Sequence, residues 1–346
     1  MSFALNDTAE LMGVIRTIKS PMRYWLDLCF PRTVTFETES ILFDQLTEEG
    51  RRLAPFVAPN VQGKVMREDG FTTKAFKPAY TKPKHVVDPT KVFHRTAGEG
   101  IGGMDLSPQQ RWDAAVARNL ASELKMIDNR CEWMAAQAVL FAQVTVAGEN
   151  YPTQTVDFGR DASLTPTALS GGAAWDQTTA KPLRNLDTWM ALMQSVGRTT
   201  PNRVTMGLSA WGAFADRVEA EKILDIRRVN GAPDLNLGVG DGQVVQYKGT
   251  LRSGVDIYVY SEVYVDDTGA EIQLMDPRDV VLTSPAIAGV RAFGAIMDAR
   301  AGLRALQYFP KMWEQEDPSV VYTMTQSAPL MVPTFPNASL RVRVMA

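Results

Sequence analysis

The sequence predicts an α+β protein in which one long helix carries several small β units. Three observations lead there. Ser107 to Ala142 holds no Gly, and no Pro after Pro108, while its apolar residues recur at steps of three and four. Residues 54–92 offer extended segments with too little apolar patterning to build a core of their own. From Asp187 onward the chain alternates between helix-like and strand-like segments.

Residues 1–50 read as an arm. Asp7 and Glu10 can cap a short amphipathic helix carrying Leu11, Val14, Ile15 and Ile18, and Ser20-Pro21 ends it. Tyr24, Trp25, Leu26, Leu28 and Phe30 then crowd into seven residues and need a surface to lie on, in this chain or in a neighbour. Residues 51–95 read as an extended loop. Val61, Gly63 and Val65 alternate with Gln62, Lys64 and Met66, Glu68-Asp69-Gly70 is a turn, and Phe71 to Phe76 is the returning strand. Pro55, Pro59, Pro78, Pro83 and Pro89 restrict these strands to sheet edges. Between residues 64 and 95 eight Lys or Arg face three acids, a local charge of +5 that leaves -8 elsewhere. A basic loop on an acidic body points to contact with another copy of that body. The residues expected to make it are Trp25, Phe30, Lys64, Arg67, Glu68, Asp69, Phe71, Lys74, Phe76, Lys77, Lys82 and Lys84.

The long helix comes next. Ser107 is its N-cap, Pro108 its first residue and Gln110 the partner in a capping box. Trp112, Val116, Leu120, Leu124, Ile127, Cys131, Ala135 and Ala138 form one stripe, and Arg111, Asp113, Arg118, Glu123, Lys125, Asp128 and Arg130 are expected on the rest of the surface. Val144–Val146 and Thr155–Phe158 can pair across Gly148-Glu149-Asn150, and the polar stretch from Asp161 to Lys181 marks a boundary. In the α/β unit, Asp187 and Ser209 are expected to cap helices. Arg203–Leu208, Gln243–Tyr247, Asp256–Val265, Ile272–Met275, Val280–Leu282 and Val290–Ile296 are strands, and Asn230 to Gly242 is a Gly/Pro-rich loop. Ala305–Trp313 and Val320–Gln326 read as a hairpin, and Leu340–Val344 as a last strand packed with them against the helix.

The chemistry of catalysis is poorly supplied. A net charge of -3 over 346 residues leaves no global nucleic-acid footprint, and two cysteines, Cys29 and Cys131, fit a reducing compartment without a disulfide framework. No apolar run reaches membrane-spanning length. Gly98 to Gly103 matches a dinucleotide-loop pattern, but the helix begins four residues later with its own cap. Asp267-Thr268-Gly269 lacks the second aspartate that acid proteolysis requires and suits a turn. The only histidines, His85 and His94, lie in the basic loop region, so no nucleophile–base pair or zinc spacing emerges. No catalytic, cofactor or metal residue is expected.

Several strings occur in an order that resembles the lambda-type tailed-phage major capsid protein family. They are Tyr80-Thr81-Lys82-Pro83-Lys84-His85 with Asp88-Pro89, Tyr247-Lys248-Gly249, and Val259-Tyr260-Ser261. Arg291, Gly294, Ile296 and Asp298 follow. Next come Phe309-Pro310-Lys311-Met312-Trp313 with Asp317-Pro318, Tyr322-Thr323-Met324 and Gln326-Ser327-Ala328-Pro329-Leu330-Met331. The resemblance implies the Hong Kong 97-type capsid fold. Mapped here, that is an N-terminal arm (1–50), extended loop (51–95), peripheral domain (96–186 and 297–346, with spine helix 107–142) and axial domain (187–296). It implies self-assembly into hexamers and pentamers of an icosahedral head around double-stranded DNA, without sequence-specific binding. The place is the virion capsid, assembled in the host bacterial cytoplasm. A separate scaffolding protein, a portal and a decoration protein are the implied partners, with no membrane involved. Two other readings remain at this stage, a nanocompartment shell of the same fold around protein cargo, and a soluble α/β enzyme.

Overall fold

In the computed structural model the described residues are 8–18, 23–38, 40–46, 62, 71–87, 107–148, 151–221, 245–251, 253–266, 268–302, 304–316 and 320–345. The spine helix Pro108–Phe141 is 34 residues long, or roughly 50 Å at 1.5 Å per residue. Its start is built as the sequence requires. The Gln110 backbone N–H donates to the Ser107 hydroxyl at 3.2 Å, and the Ser107 N–H donates to the Gln110 side chain at 2.8 Å. It stops at Ala142, which turns left-handed at φ 53°, and the chain leaves at once as strand Gln143–Gly148, paired with Tyr151–Asp157. All eight residues of the predicted apolar stripe are buried.

Around the spine lie small sheets. The hairpin Phe309–Gln315 and Val320–Gln326 packs on it, and Lys84–Val87 adds a third antiparallel strand. A second sheet joins the parallel pair Arg32–Thr35 and Val290–Phe293 to antiparallel Pro329–Val332, which also lies on the spine. The α/β unit is a five-stranded sheet in the order Ser339–Arg343, Asp279–Thr283, Arg203–Met206, Asp256–Tyr260, Val245–Thr250, with only the third and fourth strands parallel. Its separate core contains Trp175, Trp189, Phe214 and Leu282. A two-stranded hairpin, Val263–Val265 with Glu271–Gln273, projects beyond it.

Several boundaries differ from expectation for local reasons. The helix expected to start at Asp187 runs Pro182–Ser195, because Pro182 occupies the first helical position and leaves Asp187 exposed inside. The next helix, Leu208–Glu221, already includes Ser209. Asp256–Val265 is two strands, Asp256–Tyr260 and Val263–Val265. The last strand packs on the spine as expected. It extends the five-stranded sheet, where Arg341 Nε at 2.8 Å and Arg343 Nε at 3.1 Å hold the buried Asp279. The described partner of Phe71–Phe76 is Ile41–Leu46, in the register Ile41↔Phe76 to Leu46↔Phe71. The expected outgoing strand and turn, apart from Gln62, lie outside the described residues, as do Asp7, Ser20-Pro21, Gly98–Gly103 and Asn230–Gly242.

Candidate assembly interface

A chain whose segments return to one long helix must hold them there. The spine does so with buried acids. Val116, Leu120, Leu124, Asp128, Glu132 and Ala136 follow one another at steps of four and all are buried, so two carboxyls lie in the middle of an apolar ridge. Glu123 on the adjoining row is 0 % exposed. A carboxylate this deep must be fully hydrogen-bonded, and each acid holds a different segment. Glu123 accepts from the Thr323 and Thr325 hydroxyls at 2.8 and 2.7 Å and lies 3.3 Å from His85 Nδ1, tying the hairpin and the root of the extended loop to the helix. Asp128 accepts from the Tyr308 hydroxyl at 2.6 Å. Glu132 accepts from the backbone N–H groups of Trp25 and Leu26, each at 2.9 Å, and so caps the arm helix Tyr24–Cys29.

Burial raises the Glu132 carboxyl to about 7, with neighbouring Glu262 adding to it, against the lowering by the two backbone donors and Arg23. Burial likewise raises Glu123, against its bonds from Thr325, Thr323 and His85. The far end of the arm helix is held by a cation. Arg291 Nε donates to the Phe30 carbonyl at 2.7 Å, and its Nη2 donates to the Leu26 carbonyl at 3.0 Å and to Asp27 at 2.6 Å. An acid at the amino end and a base at the carboxyl end both match the helix dipole. Tyr24 and Trp25 then pack on Tyr260, with centroids 5.2 and 5.6 Å apart.

No arrangement among the described residues resembles a catalytic centre. His85 is engaged with Glu123, and Ser209 sits exposed on its helix. Thr268 and Gly269 lie in a turn between strands closed by Asp266, whose carboxylate accepts from Thr268 N at 2.8 Å and Ala270 N at 2.9 Å. No group of three or more His, Cys, Asp or Glu among the described residues could hold a metal ion. No described helix is long and apolar enough to cross a membrane.

The family model for phage major capsid protein E matches residues 7–344. The chain belongs to that family. It is 32 % identical over 348 residues to the major capsid protein of Enterobacteria phage P21, covering 98 % of this chain and 99 % of that one. To the major capsid protein of Escherichia phage lambda it is 31 % identical over 328 residues, covering 92 % and 93 %. The crystal structure of a putative capsid protein of an E. coli CFT073 prophage superposes with a TM-score of 0.79 at 25 % identity, covering 99 % of this chain and all of that one. The protein is therefore a structural component of a phage capsid and not an enzyme, and its mixed α and β architecture is a capsid fold.

For this capsid protein the expected contact residues divide sharply. Trp25 and Phe30 are each 0 % exposed, and Phe76 is 8 % exposed opposite Ile41. These three belong to the chain's own core, which corrects the expectation that they grip a neighbour. The arm from Tyr24 to Thr35 is folded back because Glu132 and Arg291 satisfy both ends of its helix and Val290–Phe293 pairs with its strand. Lys77, Lys82 and Lys84 are exposed. Lys82 Nζ lies 5.0 Å from the Tyr80 ring and Lys84 Nζ 4.5 Å from the Tyr322 ring. Phe71 and Lys74 are placed on their strand by backbone, their side chains outside the described residues, and Lys64, Arg67, Glu68 and Asp69 lie outside altogether. Glu123 and Asp128, expected at the surface, are buried, and so is Glu132, for which the sequence carries no expectation. The signal for the last two was their place on the step-four row between Leu124 and Ala136.

Proposed function

We propose that this protein is the major building block of an icosahedral phage head of Hong Kong 97 type, closing as hexamers and pentamers around double-stranded DNA. The observation that carries this is family membership over nearly the whole chain, joined to an extended strand pair anchored in the core at Ile41 and Phe76. Such a pair has little core of its own and is completed by a neighbour. Heterologous contacts that close on themselves turn one surface into a finite shell. The extended loop embraces a neighbouring subunit, and its basic residues dock on an acidic body. Individual exposed pairs contribute only about 0–1 kcal/mol, so the charges set orientation and rate more than affinity. A separate scaffolding protein, a portal and a decoration protein complete the assembly, which takes place in the host bacterial cytoplasm. A near-neutral wall suits a container that must release its DNA.

Negative-stain microscopy of the purified chain, alone and with its co-expressed phage assembly partners, tests the reading. Closed shells with hexameric and pentameric units are the expected result, and only monomers or dimers would refute it. Reversal of Lys74, Lys77, Lys82 and Lys84 to Glu is expected to cut shell yield most at low salt. Equal yield at every salt concentration would refute docking by charge.

A further inference from the structure

The spine sorts its charges by depth. Beyond Asp113 its acids are Glu123, Asp128 and Glu132, and all three are buried. Over the same stretch its bases are Arg118, Lys125 and Arg130, and all three are exposed. Arg118 and Lys125, seven residues apart, lie along one margin of the outward side, and Met126, Arg130 and Trp133 follow at steps of four and three, with Phe141 two turns further on. Met126 is 50 % and Phe141 38 % exposed, and Trp133 is half-buried. Both rings are flanked by cations, Arg130 at 5.3 Å from Trp133 and Arg341 at 4.3 Å from Phe141. The result is a strip of roughly 35 Å, apolar along its middle and basic along its margins.

Scattered exposed apolar residues are ordinary. Three large ones aligned on one helix face, with no exposed acid among them, form a recognition pattern. Duplex DNA would be a poor match. It presents a charge about every 1.7 Å, far denser than these cations, and it gains nothing from Met126 or Phe141. A helix with apolar side chains at steps of three and four, flanked by carboxylates, matches both features. We propose that the outward face of the spine from Arg118 to Phe141 is the docking site of an acidic amphipathic helix, supplied by the scaffolding partner. The last clause rests on the assembly reading given above; the docking chemistry does not.

The test uses the full chain and a labelled synthetic peptide of about 25 residues, long enough to span the strip, with leucines on one face and glutamates beside them. A lysine-flanked twin and a duplex DNA of similar length serve as comparators in fluorescence anisotropy. Binding of the acidic peptide alone is expected. Joint Arg118→Glu, Lys125→Glu and Arg130→Glu should weaken it by about tenfold or more, in a salt-dependent way. Met126→Ser with Phe141→Ser should weaken it at all salt concentrations. These side chains are solvent-facing, and far-UV circular dichroism checks that each variant is folded. Equal binding by both peptides, no effect of either set of variants, or preferential binding of the duplex would overturn the proposal. Shells formed by the pure chain with no partner would remove the scaffold reading while leaving the peptide result to stand or fall alone.

Discussion

Replacing Glu132 by Gln isolates the most consequential buried charge. The carboxyl has an ordinary value of 4.5 and is raised to about 7 in the folded chain. Between those values the folded state holds more protons than the unfolded one, so stability falls as pH rises through the window and the cost is complete above 7. At ~1.4 kcal/mol for each tenfold change in proton affinity, that cost is about 3 kcal/mol. Gln removes the titration and keeps one acceptor for the N–H groups of Trp25 and Leu26, so its effect on the bonds is independent of pH. The assay is urea unfolding of the dissociated chain, followed by tryptophan emission from pH 5 to pH 8. The unmodified chain should lose stability across this range. Glu123 and Glu262, also raised by burial, contribute in the same direction. The Gln variant should lose about 3 kcal/mol less over the range. Parallel curves would show that Glu132 does not titrate there and would refute the account of how the arm helix is held.

Three further substitutions probe the same junction. Arg291→Ala removes the bonds it donates to the Phe30 and Leu26 carbonyls and to Asp27 and is expected to cost about 3 kcal/mol, with proteolysis between residues 30 and 40 rising in step. Gly289→Ala would set a methyl against the Phe30 ring and 2.8 Å from the Cys29 carbonyl; a loss of about 2–3 kcal/mol, measured by thermal melting, is expected. Trp25→Ala should cost about 3–5 kcal/mol in the isolated chain. An unchanged isolated chain with impaired shells would instead return Trp25 to an intermolecular role.

The spine was legible to the residue because every signal for it is local. Ser107, Pro108 and Gln110 define its start, and an unbroken four-three apolar repeat defines its body. The hairpin at Phe309–Gln315 and the paired strands after Ala142 were legible for the same reason, being near neighbours in sequence. Long-range pairing was not. Nothing around Phe71–Phe76 announces a partner thirty residues earlier, nor does Leu340–Val342 declare that it joins Asp279–Thr283. Glu123 and Asp128 read as surface residues because charge outweighed position, and Glu132 carried no expectation at all. Asp128 and Glu132 sit on an apolar row, and only the distant Tyr308, Trp25 and Leu26 make burial there tolerable. The apolar arm was seen to need a surface, but sequence alone could not say whose.

That answer changes where adhesion between subunits must come from. The arm's large side chains are consumed in joining Tyr24–Cys29 to the spine and to Tyr260, so they add to the stability of each subunit and contribute little to the grip on the next. Three carboxyls within ten residues of one helix draw the hairpin, the Tyr308 segment and the arm onto the same rod. Turning those acids inward has a second consequence. It leaves Arg118, Lys125 and Arg130 as the charges that the helix exposes beyond Asp113. Internal cohesion and external recognition are thus two results of a single sorting of charge around the spine, and a substitution that moved an acid from the inner row to the outer would damage both.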